Sequence, residues 1–101
     1  MTIAIDFDGC IHLFSRGWQD GKIYDVIIDD ALKEINYLMQ KGHKIIILTA
    51  RTDFDAVRVW MSKQGFDMSK IEVTNVKPPA NAYIDDRAIR FTNWNDMVKY
   101  F

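Results

Sequence analysis

The sequence predicts an α/β domain of Rossmann-like, three-layer type, with a mostly parallel central sheet. Three observations carry that expectation. A short β-branched run, "TIAI" at residues 2–5, opens the chain, and a second run, "KIIILT" at 44–49, is apolar at consecutive positions. Strands buried on both faces read this way, and parallel strands are the ones so buried. Segments with apolar residues at helical spacing lie between and after these runs, so strand and helix alternate along the chain. A length of 101 residues fits a single domain over 1–101.

The elements follow in order. Residues 2–5 form the first strand and end at a pair of carboxylates, Asp6 and Asp8. From residue 11 to about 25 aromatic and polar residues mix, and Asp20-Gly21 is a strong turn signal; this segment is expected to be an antiparallel flap hairpin. "DDALKEINYLMQKGHK" reads as a helix, with Asp29 as N-cap, Leu32, Ile35, Leu38 and Met39 on one face, and Gly42 as the stop. After the strand at 44–49, "TDFDAVRVWMSKQG" gives a second helix. Thr52 or Asp53 caps it, Val57, Trp60 and Met61 face inward, and Gly65 ends it. "KIEVTNV" and "NAYID" are the third and fourth strands, divided by a Pro78-Pro79 loop that no helix can cross. "NWNDMVKYF" closes as a short helix, on which Trp94, Tyr100 and Phe101 are expected to pack.

Composition narrows the function classes. With 13 basic and 14 acidic residues the net charge is −1, which gives no strong signal for nucleic-acid binding. Cys10 is the lone cysteine and the two histidines are scattered, so neither a disulfide nor a cysteine-based zinc site is expected. No apolar run approaches the ~20 residues of a bilayer span and the first residues do not read as a secretory leader. The expected location is the cytoplasm, without membrane association.

In open parallel sheets the reactive crevice lies beyond the carboxyl ends of the strands. Four polar sets fall at such ends: Asp6 and Asp8; Thr49 with Arg51; Asn75 with Lys77; Asp85 and Asp86. Strand-to-loop junctions favour Asp, Asn and Thr for local hydrogen bonds, but that does not account for acidic pairs after two separate strands. If the carboxylates converge, each close pair repels by about 4 kcal/mol at ~4 Å and an effective dielectric of ~20. Protonation or a divalent cation must relieve this. Oxygen-only ligands favour Mg²⁺. A cation, a lysine and a threonine hydroxyl together suit a phosphoryl group. Asp6 is then a candidate nucleophile and Asp8 a candidate general acid and base.

With these residues in view, the chain resembles the haloacid dehalogenase superfamily, in its phosphatase branch, over residues 3–90. "DFDG" looks like the family's first motif, "IIILT" its second, Lys77 stands for the lysine of the third, and "YIDD" resembles the fourth. The resemblance implies an aspartyl-phosphate on Asp6 and a Mg²⁺ ion held by Asp6, the Asp8 carbonyl and Asp85, with Asp86 assisting. By the same resemblance Thr49 and Lys77 are catalytic and bind the substrate, while Arg51 either grips the phosphate or caps the loop after the second strand. Lys77 lies only a short loop before the fourth strand, where many relatives insert a helix, and Lys70 is the fallback. No segment is long enough for a cap domain. The site is therefore expected to be open, or covered by a neighbouring subunit of a homo-oligomer, and to accept a small phosphorylated substrate such as a nucleotide, or a nucleic-acid end. His12, Phe14, Arg16 and Trp18 on the flap either touch that substrate or pack on their own domain. A non-catalytic module that sequesters a nucleotide or signalling ligand is the alternative; a receiver-type phosphoacceptor fits the late acidic pair poorly.

Overall fold

The computed structural model describes residues 1–101. Its centre is a sheet of four parallel strands in the order β3-β2-β1-β4, formed by β1 Thr2–Asp6, β2 Lys44–Leu48, β3 Glu72–Thr74 and β4 Ala82–Ile84. The β-branched residues suit a pleated, buried surface. Ile3, Ala4 and Ile5 of β1 lie between Ile45, Ile46 and Ile47 of β2 on one side and Ala82, Tyr83 and Ile84 of β4 on the other. The residues of the two central strands are buried on both faces, as their unbroken apolar sequence predicts.

Two helices, α1 Ala31–Gln40 and α2 Phe54–Lys63, make the crossovers from β1 to β2 and from β2 to β3. Both contribute to one core, with Ile35 of α1 and Val57 and Met61 of α2 packed against Ile3, Ile5, Ile45 and Ile47. The cap of α1 falls on Asp30, one residue later than expected. Asp30 takes a left-handed conformation, which its short polar side chain tolerates, and makes no side-chain cap bond. Asp53 caps α2, its carboxylate accepting the Ala56 N–H at 3.0 Å. The helices end alike. Gly42 and His43 donate to Met39 and Leu38, and Gly65 and Phe66 donate to Ser62 and Met61, the paired bonds of a Schellman stop.

Strand order forces the remaining connection. From β3 at one edge the chain must reach β4 at the other, and residues 75–81 do this without a helix. Tyr83, in register with Ala4 and Ile46 on the face away from the helices, donates its hydroxyl to the Pro78 carbonyl at 2.6 Å. Asn81 fixes the start of β4 by exchanging two 2.8 Å bonds with the backbone of Thr2. A last short helix, α3 Trp94–Met97, continues into a 3₁₀ turn over Val98–Tyr100. Trp94 and Tyr100, expected to pack, are instead largely exposed, and Phe101 is fully so. The reason is positional: α3 packs chiefly on the 3₁₀ turn that follows it and not on the sheet or on α1 and α2.

The flap keeps its predicted turn and has a minimal stem. Asp20 and Gly21 both have positive φ, 53° and 80°, and Lys22 N–H closes the turn on Gln19, the signature of a two-residue hairpin turn. Antiparallel pairing is limited to Leu13 with Val26 and Ile11 with Ile28. Side chains hold the rest. The Tyr24 hydroxyl accepts from Arg16 N–H and donates to the Gly17 carbonyl, and Asp25 accepts from the backbone and hydroxyl of Ser15. Those donors, with the Val26 N–H, hold the Asp25 carboxyl down at about 2.

Candidate functional site

Because Ile5 pairs with Ile84 in a parallel ladder, β1 and β4 run out of the sheet side by side, and Asp6 meets the acids that follow β4. Ligand atoms of Asp6, Asp86 and Cys10 lie within 4.8 Å of one another. Gly9 makes this approach feasible. Its φ is +92°, and a Cβ there would fall onto the Asp86 carboxylate, so only glycine lets the loop after β1 close on the residue after β4. Asp85 is fixed beside them, its Oδ1 accepting the Arg87 N–H at 2.7 Å. The backbone of Arg87, not its guanidinium, makes this bond.

The electrostatics of this corner are those of acids without a countercharge. Burial, the hydrogen bond with Asp86 and the charges of Asp85, Asp86 and Asp8 together push Asp6 up from 3.8 to about 7. The Cys10 thiol is pushed up to about 11, first by burial and then by Asp6, Asp86 and Asp85. The cluster offers the carboxylate oxygens of Asp6 and Asp86 with the Cys10 sulfur beside them, and its carboxylates suit a hard divalent cation of the Mg²⁺ kind.

Asp8 faces away from this cluster, into a second network. Arg51 donates from Nε to Asp8 Oδ2 at 2.8 Å and from Nη2 to Oδ1 at 3.0 Å, and it also donates to the carbonyls of Gly21 and Lys22 in the flap. His12 is fully buried. Its Nε2 accepts the Asp25 N–H at 3.0 Å, so Nδ1 carries the proton that bonds Asp8 Oδ1 at 2.8 Å. The rings of Trp18, Phe7 and Phe14 surround the guanidinium at 5.1–5.9 Å. Arg51 is thus committed internally, and it ties the flap to the loop carrying Asp8. His12, Phe14 and Tyr24 of the flap pack on their own domain, whereas Trp18, although its ring lies over Arg51, is 61% exposed.

Thr49 is buried at the end of β2, where its Oγ1 accepts the Arg51 N–H at 3.1 Å, leaving its hydroxyl hydrogen free to donate. Lys77 does not join the acids. Its Nζ sits 4.6 Å from the centre of the Tyr83 ring, in a cleft of about 690 Å³ that Leu48, Asp85 and Ile89 also line. The helix-free crossover carries it onto the second face of the sheet. Lys70 pairs weakly with Asp67 ahead of β3, at the opposite end of that strand from the acids. Sequence reasoning missed His12 as the partner of Asp8, although the spacing of four residues was a usable signal. It also missed Cys10 as a neighbour of Asp6 and Asp86.

A solved structure of a conserved protein from Bacteroides thetaiotaomicron shares this fold, with a TM-score of 0.70 at 24% identity, over 99% of this chain and 90% of that one. No family model matches the chain, and no curated protein matches it significantly. No helix of the chain is long and apolar enough to cross a membrane.

Proposed function

We propose that this protein is a Mg²⁺-dependent phosphomonoesterase of the haloacid dehalogenase type, acting through an aspartyl-phosphate on Asp6. The observation that carries the reading is the convergence of Asp6 and Asp86 from two separate strand ends, where burial and the neighbouring acids raise Asp6 to about 7; a bound cation would relieve that repulsion.

In this reading Asp6, Asp85, Asp86 and the Asp8 carbonyl would hold Mg²⁺, which would supply charge neutralisation for the nonbridging oxygens of the phosphoryl group. A carboxylate oxygen of Asp6 bonds to phosphorus as the ester P–O bond breaks, and the leaving oxygen takes a proton from the Asp8 carboxyl. Water then attacks phosphorus, Asp8 takes a proton from it, and the bond to Asp6 breaks, releasing inorganic phosphate and the free carboxylate. The Thr49 hydroxyl donates to a phosphoryl oxygen. Asp8 accepts at both oxygens from Arg51 and His12 as described here. It must therefore let go of Arg51 and take up a proton from solvent before it can deliver one to the leaving oxygen; this conformation is the resting one, and Lys77 must swing from Tyr83 to reach the phosphate. Turnover of p-nitrophenyl phosphate or of a nucleoside monophosphate panel with Mg²⁺, absent from Asp6→Asn, is the expected result. Failure on every substrate, or an active Asp6→Asn enzyme, refutes the proposal.

A second reading draws on Asp8 and Lys77 as they stand. With Asp8 clamped and Lys77 turned away, the same pocket is that of a module that binds a phosphorylated ligand with Mg²⁺ and does not turn it over. Recovery of a bound nucleotide unchanged after prolonged incubation favours this reading.

A further inference from the structure

We infer that the hollow between the flap tip and the start of α2 receives the base of a nucleoside monophosphate, with Trp18 as its stacking platform. The inference rests on the phosphatase reading for one thing only, the placing of the phosphoryl group at Asp6.

Trp18 is the aromatic residue of the flap that the fold leaves uncovered. His12, Phe14 and Tyr24 pack on one another, while Trp18 is mostly exposed. Its ring is nevertheless held in place. It lies 5.1 Å from the Arg51 guanidinium, and its outer edge comes within 3.7 Å of where a Cβ on Gly21 would sit. The ring stands beside a hollow of about 270 Å³, lined also by Asp20, Ile23, Thr52, Asp53 and Ala56.

Position ties this hollow to the chemistry. Thr52 and Asp53 follow β2, so the hollow opens at the carboxyl end of the sheet, the end that carries Asp6 and Asp8. Arg51 is its wall towards Asp8: one guanidinium nitrogen holds the Gly21 carbonyl, and two hold the Asp8 carboxylate. In the proposed reaction Asp8 protonates the leaving oxygen. The organic part of the ester then lies on the Asp8 side of phosphorus and not among Asp85 and Asp86, and the hollow is a recess on that side.

Charge and size select the ligand. The Arg51 charge is spent on Asp8, which leaves Asp20 and Asp53 as the charged groups of the lining. Two acids repel a phosphate or carboxylate and accept N–H donors; Asp53 gives one oxygen to the Ala56 N–H and keeps the second. A volume below the ~300–1,000 Å³ of drug-sized sites suits a single flat ring system. A flat ring with N–H donors at its edge is a nucleobase, and every base offers a face that stacks on an aromatic side chain. An alkyl leaving group uses neither the indole nor the acids.

Calorimetry on Asp6→Asn protein in Mg²⁺, which cannot form the aspartyl-phosphate, compares guanosine monophosphate with glycerol phosphate. The nucleotide should bind at least about tenfold more tightly. Adding Trp18→Ala should remove most of that preference and leave glycerol phosphate binding unchanged, and Trp18→Phe should restore it. A merely structural role of the ring over Arg51 would move both ligands alike. In the wild type the same preference should appear as a lower KM for the nucleotide. A preference seen neither in affinity nor in KM, or one that survives Trp18→Ala, overturns the inference. A wild type that turns over neither ester refutes the phosphatase reading instead, and the calorimetric preference then decides this inference alone.

Discussion

Replacing Asp6 by asparagine removes the acid at the centre of the cluster while keeping its shape, and the consequence for stability follows from the direction of its shift. Below about pH 4 the Asp6 carboxyl is protonated in both the folded and the unfolded chain. As pH rises from 3.8 towards 7 the unfolded chain releases the proton and the folded one keeps it, so the native state binds more protons and loses stability with rising pH. Above about 7 both states are ionised and the loss is complete. A shift of this size converts to about 4 kcal/mol at 1.36 kcal/mol per unit. Asp6 is only half-buried, and solvent screening reduces the figure to about 2 kcal/mol.

Urea denaturation in EDTA at pH 5 and pH 8 measures this. The wild type should be less stable at pH 8 by roughly 1–2 kcal/mol, a fall in melting temperature of roughly 5–10 °C for a domain of this size. Asp6→Asn should lose most of that dependence, so the difference between the two proteins reports Asp6 together with the acids it faces, apart from titrating groups elsewhere. The low pKa values of Asp25 and Asp67 act below about pH 4 and lie outside the window. Millimolar Mg²⁺ should restore wild-type stability at pH 8, because a cation that binds only the folded cluster stabilises it by mass action. An Asp6→Asn protein with the wild-type pH slope would refute the electrostatic account of the cluster.

Three further outcomes follow from single contacts. Arg51→Met should cost about 3 kcal/mol in urea denaturation, since it strips the Asp8 carboxylate of its two guanidinium bonds, leaving only His12, and frees the Gly21 and Lys22 carbonyls; Arg51→Lys should recover only part, lacking the two-pronged geometry. Gly9→Ala should destabilise by more than about 1 kcal/mol and weaken Mg²⁺ binding by calorimetry, because its Cβ displaces Asp86 and its φ is strained. Asp53→Ala should cost about 1 kcal/mol of thermal stability through the lost cap of α2.

The scaffold was legible where local chemistry and burial agree. The three consecutive isoleucines of β2 can be satisfied only by a strand covered on both faces, and the Asp53 cap with the glycine stops bounded the helices closely. The flap was legible at its tip, since Asp20-Gly21 chooses its own conformation. Its stem was not, because two hydrogen bonds, three aromatic rings and the Asp25 carboxylate hold it through contacts that no local pattern encodes. Convergence of the acids was legible from strand ends alone, because parallel neighbours leave a sheet at the same edge. The placements of Lys77 and Asp8 were not. Lys77 depends on which face a helix-free loop crosses, and Asp8 on a guanidinium arriving from another strand end. The exposure of Trp94 and Tyr100 was hidden for a related reason: their spacing reports a helix, while burial depends on whether a layer exists for that helix to meet.

Asp6 and Asp8, two residues apart, have been given opposite surroundings by the fold. On a continuous strand residues two apart share a face, but β1 ends at Asp6, and beyond it one acid turns to the residues after β4 and the other to Arg51 and His12. Asp6 faces Asp85 and Asp86 and is pushed toward keeping its proton; Asp8 faces Arg51 and His12 and every bond it makes is accepted from a donor. A pair of carboxylates whose environments differ in this way is a means of dividing roles between chemically identical groups. As drawn, however, the division favours cation binding at Asp6 and holds Asp8 away from any leaving group. In the proposed phosphatase, catalysis would require the Arg51 clamp to open, and since the same guanidinium holds the carbonyls of Gly21 and Lys22, releasing Asp8 would loosen the flap tip. Flap motion and proton delivery would then be one event, and a substrate that fails to move the flap would be bound and not cleaved.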